Sequence, residues 1–75
     1  MIKSELIKIF RKKFKTKISE RRITKLSSYN FKKWDSLEHI NLLMIIEKKF
    51  KIKLKFSEMI ELNSFQKIEK FLKKK

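Results

Sequence analysis

The chain has 75 residues, enough for one domain near the lower size at which a single core suffices, and 41% hydrophobic content excludes a wholly disordered basic tail. It contains no Cys, which removes disulfides and thiolate metal sites, and no Gly or Pro, which favours helices joined by ordinary loops. Lys and Arg number 22 against 8 Asp and Glu, a net charge of +14 that directs attention to anionic partners, nucleic acid or a membrane surface. Ala and Val are absent too, so the core is expected from Ile, Leu and Phe. No apolar run approaches the ~20 residues that cross a bilayer and no signal peptide is visible, so a cytoplasmic protein is expected. Nineteen of the cations are Lys, which lacks the planar fork with which Arg reads base edges.

From Ile2 to Phe14, the residues Ile2, Leu6, Ile9, Phe10 and Phe14 form one helical stripe, with Ile7 at its edge. This predicts an amphipathic first helix. Residues 15–33 hold no sustained period. Ile18, Ile23, Leu26, Tyr29, Phe31 and Trp34 read as anchors that pin a long connection to the core, with one helical turn near Ser19–Ile23. A second long helix is expected to begin at Asp35, where Asp35 and Glu38 have the spacing of a capping box, and to end at Phe50. Ile52 and Leu54 alternate in a following link. A short helix over Ser57–Leu62, capped by Ser57 with Glu58 in its first turn, then precedes a last helix. That helix is capped by Asn63 or Ser64 and faces Phe65, Ile68, Phe71 and Leu72 inward. The expectation is a single domain over residues 1–75, all-α: a small four-helix bundle, its third helix short, with a long loop between the first two.

Residues 34–47 stand apart. They hold no Lys or Arg, and three of the eight acids fall among them. At about 100° per residue the second long helix has two apolar faces. His39, Leu42, Leu43, Ile46 and Phe50 form the expected core face. Leu37, Ile40 and Met44 gather almost opposite, flanked by Asn41 and Glu47, and suggest a docking surface. Ser36 follows the capping Asp35. Its hydroxyl should point outward beside unpaired backbone N–H groups and the positive end of the helix, where a phosphate is well tolerated.

The segment "WDSLEHINLLMIIEKKFKIKL" resembles the acyl carrier protein family around its phosphopantetheine attachment site. There a D-S-L triplet opens the second helix, and an E-x-x-F segment closes it before an I-x-[IL] link. The order and lengths of the elements along most of the chain match as well. The W-D-S-L-x-H-x-N-L form is most similar to stand-alone carriers of specialised pathways. The resemblance implies that a phosphopantetheinyl transferase places a 4′-phosphopantetheine arm on Ser36, with Asp35 and Leu37 beside it. The arm's thiol would carry acyl groups between enzymes of a fatty acid, lipid, glycan-modification or secondary-metabolite pathway, and its sulfur would account for the missing Cys. The resemblance also makes Leu37, Glu38, Ile40, Asn41, Met44 and Glu47 the docking residues for acyl-activating or acyl-transferring enzymes; a monomer is expected.

Carriers of this family are strongly acidic, and this chain departs from them. Residues 1–34 hold 12 cations and 2 acids, a net +10, and residues 35–75 hold 10 and 6, a net +4. Asn41, Lys48 and Lys49 stand where an acid is common. Like-charge juxtaposition is costly at an interface, so dedicated partners are expected, with acidic docking sites or with a secondary attraction to anionic membrane. The leading alternative is a small basic helical protein that binds nucleic acid. In it Arg11, Lys12, Lys13, Lys15, Lys17, Arg21 and Arg22 would contact phosphates, and Tyr29, Phe31 and Trp34 would stack on bases. Nucleic acid is nonetheless not the expected partner. His39, the single His, is taken as structural. With no nucleophile–base set, paired carboxylates or metal-ligand cluster in the sequence, no enzyme and no metal site are expected.

Overall fold

Among the described residues five α-helices follow one another: α1 (Ile2–Phe14), α2 (Glu20–Ile23), α3 (Ser36–Phe50), α4 (Phe56–Glu61) and α5 (Phe65–Lys73). They come from a computed structural model that describes residues 2–74. The chain is all-α, as its periodicity predicts. The fifth helix is the four-residue turn α2 inside the long connection, capped by Ser19. No strand occurs among the described residues; one isolated antiparallel bridge joins Ser27 to Ser64. No helix among them is long and apolar enough to cross a membrane.

Helix α1 is the hub, packing against α5, α3 and α2. It buries Leu6, Ile7, Phe10 and Phe14, so Ile7 lies deeper than its expected place at the stripe's edge and Ile9 is only half-buried. Phe10 sits at the centre, its ring 5.2 Å from Trp34 and 5.1 Å from Phe65, both edge-on. Such edge-to-face pairs add to the area they bury, by about 0.5–1.5 kcal/mol each. Helix α5 closes the core with Phe65, Ile68 and Leu72, while Phe71 is half-buried. Its cap is Ser64, whose Oγ accepts from the Lys67 N–H at 3.1 Å, which decides between the two candidate caps.

The connection between α1 and α3 is pinned as expected by Ile23, Leu26 and Trp34, all buried, and by Phe31 against Phe14. Backbone bonds fasten it to the α4–α5 junction: Ser28 N–H donates to the Asn63 carbonyl and Phe65 N–H to that of Leu26, each at 2.9 Å. Tyr29 corrects the expectation. It is 86% exposed, because Ser27–Asn30 is a tight turn with Tyr29 at its tip. Asn30 holds that turn, accepting from Ser27 N–H and donating to the Lys25 carbonyl.

Two helix ends also differ from expectation. The Asp35–Glu38 capping box is half-formed: Asp35 Oδ1 accepts from Glu38 N–H at 2.9 Å, but the Glu38 carboxylate turns to Lys13 and Asn41. Helix α4 starts at Phe56, one residue before the expected Ser57 cap. The Glu58 carboxylate accepts from the Lys55 N–H at 2.8 Å, so Lys55 takes the cap position and Ser57 lies inside the helix. In a chain without Gly, α1 and α3 end on lysines with positive φ, Lys15 at 49° and Lys51 at 55°. Beyond Lys51, the Glu47 carboxylate accepts from the Leu54 N–H at 2.8 Å and fixes the link.

Candidate functional site

Trp34 anchors the chain just before α3. Its ring is 1% exposed, and its Nε1–H donates to His39 Nδ1 at 2.9 Å. His39 Nε2 lies 2.6 Å from the Met59 carbonyl oxygen. With Nδ1 accepting, Nε2 carries the hydrogen and donates, so both ring nitrogens are used in one relay from the loop through α3 to α4. This agrees with a structural role for His39. The relay holds the start of α3 between the core and α4, and the Asp35 cap completes the helix's first turn.

Ser36 is the first residue of α3. Its side chain is exposed and makes no hydrogen bond among the described residues. Asp35 directs its carboxylate to the Glu38 amide and so orients the turn that carries Ser36. The unpaired N–H groups of a 15-residue helix lie beside the hydroxyl, favouring negative charge there. Asp35 also lines a cleft of about 520 Å³ shared with Lys13, Phe14, Lys15, Lys33 and Glu38. Three lysines thus adjoin this end of α3 beside Asp35 and Glu38, with Lys13 paired to Glu38, although the stretch from residue 34 to 47 holds none.

The face opposite the core has the exposure that its spacing predicts. Leu37 is 69%, Ile40 45% and Met44 57% exposed, and Asn41 is exposed beside them. Ile45, 40% exposed, adjoins this outer surface, although its helical angle falls between the two apolar stripes and gives it no place in either pattern. The two acids expected at this face are engaged elsewhere. Glu38 pairs with Lys13 of α1, and hydrogen bonds from Lys13 and then Asn41 hold its carboxyl below the ordinary value of 4.5. Glu47 is half-buried and occupied by the Leu54 amide. Apart from Lys48 towards its C-terminal end, the outer face of α3 is thus apolar or uncharged.

Of the seven cations considered for phosphate contacts, Arg11, Lys12, Lys15, Lys17, Arg21 and Arg22 are exposed, while Lys13 pairs with Glu38. Trp34 is buried and Phe31 half-buried, which leaves Tyr29 as the one exposed ring of the three offered for stacking. No group of three or more His, Cys, Asp or Glu that could hold a metal occurs among the described residues. Compared with models of protein families, with curated proteins and with solved structures, the chain matches none.

Proposed function

We propose that the chain is a carrier of the acyl-carrier type, modified on Ser36 by 4′-phosphopantetheine. The observation that carries this reading is the Ser36 hydroxyl, exposed at the first position of α3, with the apolar row Leu37, Ile40 and Met44 leading away from it. A phosphodiester fits this position, since the helix end and the lysines of the adjoining cleft favour its negative charge. In the transfer, Ser36 Oγ bonds to the pantetheine-side phosphorus of coenzyme A, the pyrophosphate P–O bond breaks, the hydroxyl proton passes to a base of the transferase, and 3′,5′-ADP departs. Once bound, the arm supplies a thiol on which acyl groups are held as thioesters.

In this reading the chain's residues position and present, and the acyl-activating and acyl-transferring enzymes perform the catalysis. Trp34 and His39 fix the anchor of the arm, and Asp35 holds the helix start. Leu37, Ile40, Asn41 and Met44 give the partners a surface. Because Glu38 and Glu47 are engaged within the fold, that surface lacks the acidic edge on which a basic partner relies. Dedicated partners with apolar and acidic contact residues fit it better.

Incubation with coenzyme A and a broad-specificity phosphopantetheinyl transferase tests the reading. Intact-mass measurement should show one added arm, lost in Ser36→Ala. Absence of that added mass at every salt concentration would sink it. A second reading, sequence-independent nucleic-acid binding, draws support from the exposed cations of α1 and α2. Mobility-shift titration at physiological salt, with Ser36 unmodified by the transferase, would favour it if binding is tight.

A further inference from the structure

We propose that the outer face of α3, with the adjoining edge of α1, docks on an anionic lipid bilayer. The proposal is independent of the arm on Ser36. Along α3, Leu37, Ile40, Met44 and Ile45 are 40–69% exposed on one broad surface. Apolar side chains grouped in this way mark contact with something less polar than water. Ile45 also meets Ile9 of α1 in a cleft of about 540 Å³, so the apolar surface continues across the groove between the helices. Lys8, Lys12 and Lys49 line that cleft and are exposed, and Lys48 stands one turn beyond Met44 on the same face.

Of the carboxylates nearest this surface, two are ion-paired within the molecule, and Glu47 is half-buried with its carboxylate turned to the Leu54 amide. Glu5 pairs with Lys49 at 3.4 Å and Glu38 pairs with Lys13. Lys8 and Lys12 have no carboxylate partner among the described residues. An apolar helix face bordered by lysines is the arrangement of an interfacial helix, which lies in the plane of the headgroups with its apolar side chains at the acyl boundary. At 15 residues, α3 offers a contact about 22 Å long. Lysine suits this role: its four-carbon stem lies along apolar surface while its ammonium reaches a headgroup phosphate as a point charge. Duplex nucleic acid would satisfy the lysines but leave the apolar row without a partner, which is why the lipid surface is the better complement.

Sedimentation with vesicles tests this, using the full chain carrying Ser36→Ala so that no arm contributes. The protein should pellet with mixed phosphatidylglycerol–phosphatidylcholine vesicles and not with phosphatidylcholine alone. Salt of about 0.5 M should release most of it, because charges beyond a few ångströms are then screened. Leu37→Asn with Met44→Asn should lower the bound fraction about tenfold, with the thermal melt shifted only by the weaker helix propensity of Asn, because these are the two most exposed apolar sites of the face. Lys8→Gln with Lys12→Gln should lower it as well. Binding to neutral vesicles as strong as to anionic ones, or none to either, overturns the proposal. So does undiminished binding by the asparagine variant, or capture of duplex DNA without vesicle binding.

Discussion

His39 occupies little volume but closes a relay, so its loss should weigh more than the side chain's size suggests. His39→Ala leaves the Trp34 Nε1–H and the Met59 carbonyl without their partner, each part-buried. Unsatisfied groups of this kind cost about 1–3 kcal/mol, and in a domain this small each kcal/mol moves the midpoint by about 4–8 °C. A thermal melt should therefore show a large drop for His39→Ala and none for the exposed Ser36→Ala. Lys51 offers the opposite change. Its φ of 55° suits glycine, so Lys51→Gly should raise stability by up to about 1 kcal/mol, read from the same melts. Glu38 supplies a pH dependence. Its carboxyl is lowered by the Lys13 hydrogen bond, so its stabilisation is present above the ordinary value of 4.5 and is lost as pH falls through the lower folded value. Glu38→Gln should flatten that acid limb of the melting curve. Local spacing is enough to mark Asp35 as the cap of α3 with Ser36 at its first position, and a lone His without ligand or base partners reads as structural. The sequence could not mark the Lys13–Glu38 pair, which spans 25 residues, because no local pattern records which distant helix will pack alongside.

Helix α3 shows what periodicity can and cannot decide. Its two apolar faces were legible in the sequence, and so was the choice of core face, since Leu42, Leu43 and Ile46 are buried while Leu37 and Met44 are exposed. The two faces should respond differently to truncation. Leu42→Ala removes packing from a fully buried position and should cost about 2–5 kcal/mol, whereas Met44→Ala should stay within about 0.5 kcal/mol, both by denaturant or thermal unfolding. Roles that depend on tertiary contact were not legible. Glu47 reads as an edge of the outer face, yet it reaches past the end of α3 to the Leu54 amide. Ser57 is a good cap residue, but Glu58 reaches back to the Lys55 amide and starts α4 earlier. Tyr29 looked like an anchor because it is a large ring among polar residues. The hydrogen-bonded Asn30 turn outranks that preference and carries it into solvent.

At the scale of the molecule, one aromatic and aliphatic cluster joins α1, the long connection, α3 and α5, and a large excess of positive charge surrounds it. The Cα atoms extend over 29 × 27 × 17 Å. At about 0.02 M salt the Debye length is roughly 20 Å, so lysines on opposite sides of the shortest axis still repel one another. At about 0.5 M it falls to roughly 4 Å, and little beyond neighbouring pairs survives. Screening acts in two directions here. It weakens the ion pairs Lys13–Glu38, Lys49–Glu5 and Lys73–Glu69, and it relieves the repulsion of a net charge of +14. Exposed pairs contribute little each, while the repulsion is summed over all the cations, so relief should prevail. Thermal midpoints measured across that range of salt should rise steadily. A falling midpoint would mean that the few pairs outweigh the many unpaired lysines.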